Sequence, residues 1–179
     1  MMLPLLYASI ERQVTDVTIL VLSDSHSALS FMRLCVKKVQ PQAIIHLGDH
    51  YDDAQALQEE LPHVQVHMVA GNCDRYRCPP DARELLCYDV GGVRMLMTHG
   101  HNERVKQGIG ALLAEARRYK AKAALYGHTH QPYCHQEDDG QWVLNPGTCG
   151  HFSGTAAVIE TDGKEITACK IITQADLED

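Results

Sequence analysis

The chain has 179 residues, 45% of them hydrophobic and 22% charged, a balance that suits one globular domain and excludes a disordered, collagen-like or disulfide-dependent miniprotein. Lys plus Arg is 16 and Asp plus Glu is 23, giving a formal net charge of -7. That opposes bulk attraction to long nucleic acid or an anionic membrane and leaves only a local cationic or metal site for phosphate. No apolar run reaches the ~18 to 20 residues of a membrane span. The seven cysteines are odd in number and scattered, with no C-x-x-C, which fits a reducing cytoplasm better than a secreted disulfide framework.

Residues 1–16 read as an N-terminal extension, and residues 17–179 as a single domain. Met1 to Ile10 is mildly apolar but is interrupted by Pro4 and lacks the basic start of a signal peptide. Val17 to Leu22 is a continuous β-branched and apolar run, the pattern of a buried strand. Leu29, Met32, Val36 and Val39 recur at helical spacing until Pro41. Ala43 to Leu47 predicts a second strand, Ala54, Leu57 and Leu61 a second helix closed by Pro62, and Val64 to Ala70 a third strand. Strand and helix in alternation predict a parallel sheet with crossover helices. Leu85 to Val90 and Val93 to Thr98, joined by Gly91-Gly92, form a hairpin pattern. Ile109, Leu112, Leu113, Ala116 and Tyr119 mark a third helix, and Ala123 to Tyr126 a short strand. Trp142 to Leu144, Thr155 to Glu160 and Glu165 to Ile172 complete the strand-like segments. The sum is one α/β domain with mixed sheets.

Polar clusters follow these strands. Asp24-Ser25-His26 follows the first and Gly48-Asp49-His50-Tyr51-Asp52 the second. Gly71-Asn72-Cys73-Asp74 follows the third, Thr98-His99-Gly100-His101 the hairpin, and Gly127-His128-Thr129-His130 the strand after the third helix. In open α/β sheets, loops at the carboxyl ends of strands converge on one crevice. Imidazole with carboxylate suits Mn, Fe, Zn or Co and needs no cysteine. Asp24, His26, Asp49, Asn72, His99, His128 and His130 are too many ligands for one ion; they suit two ions ~3.5 to 4 Å apart with one carboxylate bridging. Four positive charges against Asp24 and Asp49 leave a net positive receptor for a phosphate ester, with a shared water of lowered pKa as nucleophile.

This motif series, Asp-x-His, Gly-Asp-x-x-Asp, Gly-Asn-x-Asp, His-Gly and Gly-His-x-His, resembles the calcineurin-like metallophosphoesterase superfamily and within it the small prokaryotic phosphodiesterases. The resemblance runs from about Val17 to Gly150. It implies two packed mixed β-sheets flanked by helices, a four-layer αββα sandwich. It also implies that Asp24, His26 and His130 hold one divalent ion and Asn72, His99 and His128 a second, with Asp49 bridging. Mn2+ is the expected metal, with Fe, Zn, Ni and Co as alternatives. Asp52 and Asp74 fall behind the ligands. The implied activity is hydrolysis of a small phosphodiester, nucleotide-like or aryl, by a metal-bridging hydroxide attacking in line, in a cytoplasmic enzyme that pairs with its own copy.

Two departures qualify that reading. Cys73 stands where many family members have a histidine that protonates the leaving oxygen, so Cys73 or His101 is expected to assist departure. After Asn145-Pro146-Gly147, the Pro-Arg pair of small relatives is replaced by Gly150-His151, where His151 is read either as a contact to a phosphate oxygen or as a solvated loop histidine. The alternatives are a phosphomonoesterase or phosphoprotein phosphatase, and a non-catalytic interaction module resembling the retromer scaffold subunit.

Overall fold

The computed structural model describes residues 16–150 and 154–178. Only Asp16 of the expected extension falls within them, and His151 lies outside them.

The strands are β1 (Val17–Leu22), β2 (Ala43–His46), β3 (Gln65–Met68), β4 (Leu85–Val90), β5 (Val93–Thr98), β6 (Ala123–Leu125), β7 (Tyr133–Gln136), β8 (Trp142–Asn145), β9 (Thr155–Thr161) and β10 (Ile166–Thr173). The helices are α1 (Leu29–Val39), α2 (Tyr51–Glu60) and α3 (Gly110–Arg118). One sheet has the order β10-β9-β1-β2-β3 and the other β4-β5-β6-β8-β7. Both sheets are mixed: in the first, β1, β2 and β3 are parallel and β9 joins β1 antiparallel, and in the second β6 pairs parallel with β5 and β8 while β4 and β7 add antiparallel margins.

The apolar runs are explained by burial on both faces. Ile19 and Val21 of β1, Ile45 of β2, Met95 and Met97 of β5, Leu125 of β6 and Leu144 of β8 meet between the sheets. Leu20, Leu22 and Ile44 face the other way, against Phe31, Met32 and Cys35 of α1 and Ala54 and Leu57 of α2. Leu96, Ala124 and Val143 do the same toward Leu112, Leu113 and Ala116 of α3. Each such side chain contributes about 1.5–3 kcal/mol on leaving water. These three cores are the boundaries of a four-layer αββα sandwich, the expected architecture.

β7 has no counterpart among the expected strands. Tyr133, His135 and Gln136 are exposed, and only Cys134 turns toward the inter-sheet core. A strand at the sheet margin with one inward anchor shows no hydrophobic alternation. Its ladder to β8 places it: Tyr133 opposite Asn145 and Cys134 opposite Leu144. Among the described residues no helix is long and apolar enough to cross a membrane.

Candidate metal centre

The parallel strands end together, and their following loops form the site. Asp24 follows β1 and is fully buried. Its Oδ2 accepts hydrogen bonds from Ser23 Oγ at 2.6 Å and from the His128 backbone N–H at 3.1 Å. Asp24 Oδ1 has no aligned hydrogen bond, although His130 Nε2 lies 3.0 Å away. His26 Nε2 and His101 Nδ1 are also buried without a hydrogen bond. One ligand atom each from Asp24, His26 and His130 lies within 4.8 Å of the others, and the same holds for Asp24, Asp49 and His99. Asp24 is common to both groups.

Orphaned buried polar atoms cost about 1–3 kcal/mol each. Two of them, Asp24 Oδ1 and His26 Nε2, belong to expected ligands and stand among carboxylates and imidazoles suited to a divalent cation, so the residues fit the metal that the sequence implies. His99 shows the same preparation. Its Nδ1 donates to the Leu47 carbonyl at 2.8 Å, which orients the ring with Nε2 toward the other ligands. That Nε2 is 3.5 Å from Asp49 Oδ1 and 3.1 Å from Asn72 Oδ1. The His128 ring centroid is 5.0 Å from that of His99, and the His26 centroid 5.3 Å from that of His130. All seven expected ligands thus stand on loops around one crevice.

The electrostatics follow from burial and neighbours. Burial, with His99 and Lys106 nearby, lowers His128 to about 4, so its imidazole is neutral at pH values where a metal would bind. Burial also lowers His26. Asp49 is raised by burial, but His99 and the Cys73 backbone N–H outweigh this and hold its carboxyl below the usual range. Burial and the Asp49 carboxylate push the Cys73 thiol up to about 11, so it keeps its proton at neutral pH. Cys73 and His101 sit at the rim beside the ligands. A cavity of about 740 Å³ opens there, lined by Asn72, Asp74, Arg75, Arg83 and His101 among others.

Asp74 and Asp52 are placed differently from each other. Asp74 is fully buried, and its carboxylate accepts three backbone N–H groups: Gly71 at 2.7 Å, and Asp49 and Tyr51 at 2.9 Å each. It ties the loop after β3 to the loop after β2. Asp52 instead pairs at the surface with Arg77 at 2.8 Å, and its carboxylate lies within 4.8 Å of a His50 ring nitrogen and an Asp53 oxygen, but it does not hold the loop of His26. The neighbouring Asp53 does that work. It is buried and accepts from Ser25 Oγ and from the Ser27 N–H, both at 2.8 Å, holding the loop that carries His26. Asn145 is a second support that motif reading passed over. Its Nδ2 donates to the Gly127 carbonyl and to Thr129 Oγ1, each at 2.9 Å, and so fixes the loop of His128 and His130. Asp53 could have been found from the first turn of α2, where it is the Asp on the apolar side with Ala54 and Leu57. His46 of β2 is fully buried and lies 3.2 Å from Ser25 Oγ.

Glycines set the spacing of the walls. A Cβ on Gly71 would collide with the Asp49 side chain and backbone, and one on Gly127 would strike Ser23 Oγ and lie 2.8 Å from Asp24 Oδ2.

A two-sheet αββα sandwich whose strand-end loops gather aspartate, asparagine and histidine around orphaned ligand atoms is the architecture of a metal-dependent phosphoesterase. The chain belongs to the calcineurin-like phosphoesterase superfamily, whose domain model matches residues 17–164. It is 28% identical to a probable metallophosphoesterase of Mycoplasma pneumoniae over 73% of this chain and 77% of that one. It is 26% identical to a phosphodiesterase of Methanocaldococcus jannaschii over 81% and 93%. Among solved structures, a predicted phosphoesterase of Streptococcus pneumoniae superposes with a TM-score of 0.66 at 24% identity, covering 89% of this chain and 99% of that one. Vacuolar protein sorting 29 of Cryptosporidium parvum superposes with a TM-score of 0.71 at 16% identity, covering 89% and 97%. At such identities the structural likenesses speak for the fold alone.

Proposed function

We propose that the protein is a phosphodiesterase that hydrolyses small phosphodiesters with two divalent metal ions, Mn2+ foremost. The observation that carries the reading is the pair of ligand groups sharing Asp24, with Asp24 Oδ1 and His26 Nε2 buried and unsatisfied. Asp24, His26 and His130 would hold one ion and Asn72, His99 and His128 the other, with Asp49 between them. Bound there, the ions would supply Lewis acidity toward the phosphate oxygens and a water of lowered pKa as nucleophile.

The chain's own groups do the rest. The Leu47 carbonyl aims His99, and Asp74 fixes the backbone of Asp49. Cys73 and His101 stand beside the ligands as the groups proposed to assist departure of the leaving oxygen. The cavity beside them, lined by Arg75 and Arg83 together with Asp74 and Glu84, has the size for a small substrate rather than a polymer. A phosphodiesterase among the relatives supports the diester reading. We extend the proposal to a cytoplasmic enzyme that self-associates.

The test is elemental analysis of the purified protein together with initial rates on an aryl phosphodiester and an aryl phosphomonoester in Mn2+. Two metals per chain and a faster diester are expected. A faster monoester would overturn the substrate class in favour of a phosphatase. Full metal content with no hydrolysis of any phosphoester would favour an interaction module.

A further inference from the structure

Away from the metal centre, Cys134 and Cys169 form a pair. Cys134 lies on β7 and Cys169 on β10, the outer strands of opposite sheets. Their Sγ atoms are 3.0 Å apart, both residues are half-buried, and both pack on the core between the sheets. Among the described residues no other two thiols share a hydrogen bond. We propose that Cys134 and Cys169 are a modification site: a small-molecule disulfide, oxidised glutathione being the representative, converts them to an intramolecular disulfide that staples the two sheets along their open edge.

The exchange balances without a metal. The Cys134 thiolate attacks one sulfur of the small disulfide and releases one small-molecule thiol. Cys169 then gives up its proton and attacks the Cys134 sulfur of the mixed disulfide, releasing the second thiol. The protein loses two electrons and two protons, and the small disulfide takes them up. Cys134 attacks first, because a hydrogen bond from Cys169 favours its thiolate and lowers its thiol. Partial exposure lets a small oxidant reach the pair.

The staple would act at an exposed margin of the sheet. Cys134 is the only residue of β7 that is not exposed. The strand leads directly from His130, so linking it to β10 also steadies the segment carrying that histidine. The bridged residues are 35 apart in sequence. Closing a loop of that length in the unfolded chain corresponds to a rise in melting temperature of about 10 °C for a protein of this size.

The full-length protein is incubated with reduced or with oxidised glutathione, alkylated, and mapped by peptide mass. Melting is followed in parallel. The expected result is a Cys134–Cys169 linked peptide in the oxidised sample, with melting higher by about 10 °C. Cys134→Ser and Cys169→Ser should each lose both the link and the shift; the two variants guard against one failing to fold. Alkylation of both cysteines at the oxidised poise would overturn the proposal. So would a link through any other cysteine, or an oxidation-dependent shift that survives in either variant.

Discussion

Asp74→Asn isolates the support of the metal centre from the centre itself. The carboxylate accepts from Gly71 and Asp49 through Oδ2 and from Tyr51 through Oδ1. The amide has the same shape but one acceptor oxygen. Its best placement keeps that oxygen on Gly71 and Asp49 and turns the NH2 toward the Tyr51 N–H. One charge-assisted hydrogen bond is lost, two fall to neutral strength, and one buried donor faces another. The sum is about 3–5 kcal/mol, or roughly 10 °C in melting temperature. Removing a negative charge near Asp49 works the other way, so the comparison is made in saturating Mn2+, where bound cations offset that repulsion. Because Asp74 orients the Asp49 backbone, Mn2+ affinity should also fall, by about 10–100-fold as for other groups behind a metal ligand. Calorimetric melting and Mn2+ titration read the two effects. A variant that melts within about 2 °C of the parent and binds Mn2+ unchanged would show that these bonds do not hold the loops.

Asp49→Asn should abolish hydrolysis and occupancy of both ions, since one carboxylate is proposed to serve both; two metals retained per chain would count against the bridge. Cys73→His should keep the metals and shift the dependence of rate on leaving-group pKa, whereas an unaltered dependence would return Cys73 to a space-filling role. His46 gives a pH signature in the metal-free protein. Burial, only partly opposed by Asp74 and Asp24, lowers it from 6.5 to about 4. Between those values the unfolded chain binds a proton that the folded chain refuses, so stability is lost as pH falls, by about 3 kcal/mol across the window. His46→Gln should lack that part of the slope in urea titrations at about pH 7 and about pH 4; parallel slopes for parent and variant would refute it.

The sequence showed most where one physical cause acts alone. β1, β6 and the Met95–Met97 stretch of β5 are buried on both faces, so their apolar runs are continuous and were legible. The ligand motifs were legible too, because imidazole pairs and Gly-Asp turns at strand ends carry chemistry in their residue types. What could not be read depends on direction. Asp52 and Asp53 are adjacent and chemically identical, and only the phase of α2 decides which one faces the His26 loop. Asn145 looked like part of a turn; its role as an anchor rests on a contact with Gly127, 18 residues earlier. β7 is held by its ladder to β8 and by Cys134 alone, which leaves no periodicity to detect.

Backbone strain links these observations. Among the described residues ten other than glycine have positive φ, and seven of them, Asp24, His26, Ser27, Asp49, His50, His128 and His130, belong to the loops of this centre. Five of the seven are expected metal ligands. A left-handed conformation at such residues costs of order 1 kcal/mol or more and persists only where the surroundings over-determine it. Here the restraints are visible: Gly48 O accepts the Asp24 N–H, Asp74 the Asp49 N–H, Asp53 the Ser27 N–H, and Asp24 the His128 N–H. Four of the seven strained residues therefore lean on a carboxylate or carbonyl from another loop, and Asp24 is both strained and a restraint. Removing one support relaxes ligands on a loop it does not belong to. Buried acceptors thus hold the ligand-bearing loops in the conformations that bring the ligand atoms together.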